Sequence, residues 1–265
     1  MLGAIIGDVI GSRFEWRSLK TKDFNLFTSH CEPTDDSVMT VAVGLACANA
    51  GVQDKEAFQR ELILQMRRLG RLYPDAGYGS GFARWIKDDS MGPYNSFGNG
   101  SAMRVSPVAW AATTLEQAEE VAAWSAEVTH NHPEGIRGAQ AVAAAIFLAR
   151  TGKSREEIRA YIADRYYRMD FTLAEIRPDY HFDVTCQGSV PQALMCFFES
   201  VSFEDAVRNA VSLGGDGDTQ AAMAGSVAEA FYGIPPELEE AVFGFLDEEL
   251  TNDYLFCADV LPFNE

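Results

Sequence analysis

Apolar residues recur at three- and four-residue spacing along most of the chain, and stretches alternating between apolar and polar are scarce. Ala-rich segments at 41–50, 115–127, 138–150 and 221–231 read as helices, and strong helix formers dominate 55–69, 155–167 and 236–250. No Ser- or Pro-rich linker divides the sequence and no segment repeats at a fixed period. Residues 1–265 are therefore expected to form one nearly all-α domain, a compact orthogonal helix bundle. Gly3, Gly7 and Gly11 stand four apart, which would line them along one side of a first helix and let another backbone come close. The loops at 77–100 and 213–219 are rich in Gly, Asn, Ser and Asp, a composition that suits exposed backbone donors.

Composition narrows the reading. The 265 residues are 47% hydrophobic and 23% charged, enough for a sizeable core. Lys and Arg number 21 against 39 Asp and Glu, a net charge of −18 that repels a phosphate backbone and argues against nucleic acid as a partner. An anionic ligand could bind only where local donors or bound cations reverse that field. The longest apolar run, at 141–149, stops at Arg150, short of the roughly 18 residues a membrane helix needs. Asp8 interrupts the apolar N-terminal residues and no basic region precedes them, so no signal peptide is expected. Five scattered cysteines without metal-site spacing predict reduced thiols and a cytoplasmic location.

Candidate chemistry gathers at two acidic clusters, each directly before a helical run. The first is Thr34-Asp35-Asp36-Ser37, and the second is Gly214-Gly215-Asp216-Gly217-Asp218-Thr219. Either alone reads equally as a helix cap with acidic residues favoured in the first turn. Brought face to face, they would present four carboxylates and two hydroxyls with no basic residue inside either motif. Such crowding needs protons or cations to neutralise it. A donor set of oxygen alone, without His or Cys, selects hard ions, so Mg²⁺ or Mn²⁺ fits and Zn²⁺ does not. Six oxygens can hold two such ions and leave room for water or substrate, the arrangement of two-metal hydrolysis. No P-loop Lys, EF-hand ligand pattern or Gly-x-Ser-x-Gly elbow competes with that reading.

With these clusters in place, the sequence resembles the ADP-ribosylglycohydrolase family, which includes dinitrogenase-reductase-activating glycohydrolases, ADP-ribosyl-acceptor hydrolases and lens J-crystallins. The resemblance covers nearly the whole chain. It rests on Gly3-Ala4-Ile5-Ile6-Gly7-Asp8-Val9-Ile10-Gly11-Ser12 with Glu15 soon after, on the two acidic clusters, on Ser96-Phe97-Gly98-Asn99-Gly100-Ser101-Ala102-Met103-Arg104, and on Thr129-His130. Gly217 departs from the Thr or Ser that many relatives carry there.

The resemblance implies an all-α bundle around a binuclear metal site, with two Mg²⁺ or Mn²⁺ ions ligated by Thr34, Asp35, Asp36, Asp216, Asp218 and Thr219. It implies hydrolysis of the N- or O-glycosidic bond at the anomeric carbon of ADP-ribose attached to a protein side chain or small acceptor. Metal-activated water would attack, with Glu15 or one of the ligating carboxylates Asp35, Asp36 and Asp218 taking the proton. Ser96, Phe97, Gly98, Asn99, Gly100, Ser101 and His130 would contact the ADP-ribose. Arg104 could pair with a phosphate or with a core carboxylate, Asp8 could buttress the metal site, and His132 is expected to be structural. The expected enzyme is a monomer. The alternatives are a non-catalytic, crystallin-like or ADP-ribose-binding family member and a metal-dependent nucleotide phosphohydrolase.

Overall fold

A computed structural model of the chain describes residues 1–262. Its helices run, in order, α1 Leu2–Gly11, α2 Asp35–Ala50, α3 Lys55–Leu72, α4 Ser80–Lys87, α5 Gly100–Met103, α6 Ser106–Ala111, α7 Leu115–Glu127 and α8 Pro133–Arg150. They continue as α9 Arg155–Arg165, α10 Leu173–Ile176, α11 Cys186–Phe198, α12 Phe203–Val211, α13 Gly217–Tyr232, α14 Pro236–Val242 and α15 Glu248–Val260. Among the described residues the only β pairing is an isolated antiparallel bridge between Gly98 and Thr185, so the expected all-α fold is the observed one.

Local sequence explains most helix starts. Thr34, Asp54, Thr114, Ser154, Ser202 and Asp247 each accept a first-turn backbone N–H on the side chain, and Ser154 with Glu157 completes a capping box. One expected helix is two: the run 236–250 breaks into α14 and α15. The chain turns through Gly244, Phe245 stacks on Phe27 at 5.2 Å, and Asp247 starts a new helix by accepting from the Leu250 N–H at 2.9 Å. Strong helix formers on both sides gave no hint of that cap.

The core is centred on α13 and α8. In α8 the residues Ala141 to Ile146 are all fully buried, and α13 packs against α1, α8, α11 and α12. The closest of these contacts is with α1, every residue of which is buried. A methyl group added at Gly7 would overlap the backbone carbonyl of Ala221, and one at Gly11 would lie 2.5 Å from the Asp218 Cα. Backbone therefore meets backbone along the seam, as the four-residue glycine spacing predicts. The seam matters for function because it lays Asp8 of α1 beside the first turn of α13. Gly214, with φ +67°, makes the left-handed turn that leads into α13. Among the described residues no helix is long and apolar enough to cross a membrane.

Candidate active site

Three helices bring carboxylates to one place. Asp8, midway along α1, is fully buried. It accepts hydrogen bonds from the Thr34 N–H at 2.9 Å, the Thr34 hydroxyl at 2.6 Å, the Ser37 N–H at 3.0 Å and the Ser37 hydroxyl. Asp8 thus caps the first turn of α2 from a different helix, where the dipole and two free N–H groups favour a carboxylate. Burial nevertheless pushes its pKa up to about 6 against the pull of those four donors.

Thr34 is the N-cap of α2, accepting from the Asp36 N–H. The first turn carries Asp36, whose Oδ2 accepts from the Thr219 hydroxyl at 3.1 Å while its Oδ1 is buried with no partner among the described residues. Across from it, Asp216 precedes α13 and accepts from the Asn99 side-chain amide at 2.8 Å. Asp218 Oδ1 accepts from the Thr219 N–H at 2.9 Å.

Carboxylate oxygens of Asp8, Asp36 and Asp218 lie within 4.8 Å of one another, and so do those of Glu15, Asp216 and Asp218. Asp218 belongs to both groups. Asp35 lies in the same cavity wall but outside either group.

Electrostatics here is dominated by burial and repulsion. Burial first, and then the charge of Asp8, hold Asp35 and Asp36 well above the usual carboxylate range. For Asp218 burial is followed by the charge of Asp216. Glu15, half-buried, is pushed up to about 7 by burial and by Asp216, with the Trp16 side chain opposing. None of these carboxylates forms an ion pair among the described residues. Oxygen-only donors, mutual repulsion and the orphaned Asp36 Oδ1 fit a hard divalent cation.

The cluster forms one wall of a cavity of about 430 Å³. The 96–100 loop lines the same cavity through Ser96, Gly98, Asn99 and Gly100, together with His130. The Gly98–Thr185 bridge pins this loop to the start of α11: the Asn99 N–H donates to the Val184 carbonyl at 2.8 Å and the Cys186 N–H to the Phe97 carbonyl at 2.9 Å.

Not every expected residue reaches the cavity. Thr34 faces Asp8. Ser101 is fully buried and donates to the Gly135 carbonyl at 2.7 Å. Phe97 is exposed beside the His132 ring, 5.3 Å away, and His132 caps α8 through its Nδ1. Arg104 does line the cavity, but it pairs with no carboxylate among the described residues: its Nη2 donates to the Thr129 hydroxyl at 2.9 Å and the Ser125 carbonyl at 3.3 Å, and burial lowers its pKa to about 10.

Sequence reasoning did not single out five aromatic residues of the wall: Trp16, Tyr78, Phe82, Tyr94 and Phe182. Tyr78 stands between Gly77 and Gly79, and Trp16, 78% exposed, follows Glu15 directly and stacks on Phe182 at 4.8 Å. Both offered a local signal; Phe182 offered none. A second hollow, about 710 Å³ and lined by Lys55, Arg67 and Trp85 among others, holds none of the clustered carboxylates.

Known proteins resemble the chain in sequence and in fold. A sequence model of the ADP-ribosylglycohydrolase family matches residues 1–259. ADP-ribosylhydrolase ARH3 of Homo sapiens is 27% identical, over 94% of this chain and 90% of that protein. ADP-ribosylarginine hydrolase Tri1 of Pseudomonas putida is 28% identical over 91% of this chain and 72% of its own length. The ADP-ribosyl dinitrogen reductase glycohydrolase of Rhodospirillum rubrum is 26% identical over 88% and 84%. A solved ADP-ribosylglycohydrolase-related protein complex shares the fold, with a TM-score of 0.69 and 22% identity over 98% of this chain and 95% of its own.

Proposed function

Because the chain belongs to the ADP-ribosylglycohydrolase family, we propose that this hydrolase releases ADP-ribose from a modified protein side chain or small acceptor by cleaving the glycosidic bond at the anomeric carbon, with two divalent cations, Mg²⁺ or Mn²⁺, as cofactors. The observation that carries this reading is the pair of carboxylate groups sharing Asp218 on the wall of the cavity. Asp36, Asp216 and Asp218 would hold the cations, with Asp35, Thr34 and Thr219 at the margin of the set and Asp8 and Glu15 within reach. When bound, the cations supply Lewis-acid activation of water and neutralise the crowded charge.

The chain's own residues do the rest. Asp8 holds Thr34 and Ser37, and with them the first turn of α2, in place. Asn99 holds Asp216 and ties it to the 96–100 loop. Glu15, half-buried beside Asp216 and Asp218, would be placed to take a proton from attacking water. The loop Ser96, Gly98, Asn99 and Gly100 with His130 would meet the ADP-ribose in the same cavity as the carboxylates, which lets an acidic molecule accept an anionic ligand without a basic patch. Nothing favours the non-catalytic alternative, because the relatives named above are all hydrolases. Residues 1–265 would act as one catalytic domain and as a monomer, without nucleic acid, and five unpaired thiols suit a cytoplasmic location.

The test is release of free ADP-ribose from Arg-linked and Ser-linked ADP-ribosylated peptides in Mg²⁺, Mn²⁺ or EDTA. Release abolished by EDTA is expected. Release that persists at full rate in EDTA would overturn the metal-dependent reading, and no release together with no binding of ADP-ribose would overturn the substrate.

A further inference from the structure

We propose that Arg104 and Thr129 are positioning residues that fix the tautomer of His130, so that its Nε2–H is a permanent donor into the cavity. His130 is buried and lines the cavity, and its Nδ1 lies 2.7 Å from the Thr129 hydroxyl oxygen. The same oxygen lies 2.9 Å from Arg104 Nη2. Thr129 itself has no exposed surface.

A guanidinium has no acceptor, so Arg104 can only donate to Thr129. A hydroxyl has one hydrogen, and the only other partner of Thr129 Oγ1 among the described residues is the His130 Nδ1. Thr129 therefore donates to Nδ1, because the reverse arrangement would leave a buried O–H with nothing to receive it. Nδ1 is then an acceptor, and a neutral imidazole that accepts at Nδ1 carries its proton on Nε2. Burial, followed by the charge of Arg104, holds His130 well below its ordinary pKa, which keeps the ring neutral.

The loop leaves Nε2 accessible. The hydrogen bond of the His130 ring given by the described residues is at Nδ1, and a Cβ at Gly100 would lie only 3.2 Å from Nε2. At Gly98 the distance would be 3.6 Å. Two glycines thus stand where side chains would cover the donor. A fixed N–H at this point favours an anionic acceptor oxygen, as those of a diphosphate are, because a charged acceptor makes the stronger hydrogen bond. Arg104, which also lines the cavity, contributes in this account by holding Thr129.

The assignment of the ligand rests on the proposed ADP-ribose reading, whereas the tautomer belongs to the free protein, so the two can fail separately. The experiment is side-chain ¹H–¹⁵N correlation of His130 in the full-length protein, with calorimetric titration of ADP-ribose alongside, for wild type, Thr129→Ser and Thr129→Val. Wild type and Thr129→Ser should show a proton on Nε2 and none on Nδ1. Thr129→Val should show mixed or Nδ1-protonated imidazole and about tenfold weaker ADP-ribose binding, the loss of roughly one hydrogen bond. A wild-type proton on Nδ1, or a Thr129→Val spectrum identical to wild type, overturns the relay. An intact tautomer pattern with no ADP-ribose binding to wild type overturns the ligand reading and leaves the relay standing.

Discussion

A single carboxylate, Asp218, is common to both oxygen groups on the cavity wall, and that makes it the residue with most to lose. Asp218→Asn should cut ADP-ribose release by roughly a thousandfold or more, a loss of several kcal/mol of transition-state stabilisation, and should abolish calorimetric heat of Mn²⁺ binding. Near-normal turnover would sink the assignment. Asp8 acts differently, because its oxygens are already engaged by Thr34 and Ser37. Asp8→Asn keeps the shape but replaces two acceptor oxygens with one, so Mn²⁺ affinity should fall by about 10- to 100-fold, the usual cost of disturbing an outer-shell partner, with measurable loss of Tm. An Asp8→Asn protein with wild-type Mn²⁺ affinity would show that Asp8 serves packing alone. Much of this was legible in the residues: four carboxylates and two hydroxyls without His or Cys select hard cations wherever they meet. What could not be read was which atoms are already spent. Thr34 turned to Asp8, Ser101 turned to Gly135 and Asn99 turned to Asp216 are choices made by tertiary packing.

At the scale of elements, the fold depends on how closely α1 lies on α13. Gly7→Ala would drive a methyl into the Ala221 carbonyl, where backbone cannot yield cheaply. We expect about 3 kcal/mol of destabilisation, the upper end for overpacking, seen as a Tm lower by roughly 10 °C. Gly79→Ala has nothing within 4 Å of the added methyl and should stay within about 0.5 kcal/mol of wild type. Equal Tm values for the two variants would contradict the seam. The glycine spacing announced this contact, and the long helices were legible from periodicity: 115–127 has the same limits in both readings, and 55–69 lies inside α3. The short helices α4, α5, α6 and α10 were not, because one or two turns carry too little periodicity to stand out. The helix α11 contains Pro191, a residue that argues against a helix locally and is tolerated here within a fully buried segment.

For the whole molecule, the buried carboxylates make stability depend on pH in an unusual direction. Asp8 and Glu15 titrate at about 6 and about 7 in the folded chain against ordinary values of 3.8 and 4.5, so between those limits the folded state binds more protons than the unfolded one. Stability is then greatest below the ordinary values and falls as pH rises through the folded ones. Thermal melts in EDTA should therefore give a Tm that declines from pH 5 to pH 8, and Mg²⁺ or Mn²⁺ should recover it most at pH 8. A Tm in EDTA that climbs over this range would count against the cluster. The glycine seam has a kinetic side as well. The helix α1 has no polar face, and its partner α13 lies almost the whole chain away. During synthesis the part of α1 that meets α13 must wait until that helix has been made, with α2 its earlier partner. Contacts of such long sequence separation slow folding and leave sticky intermediates. The carboxylate site is thus incomplete until the start of α13 has been made, and a chain that stops short of it has a hydrophobic helix but only half of the donor set.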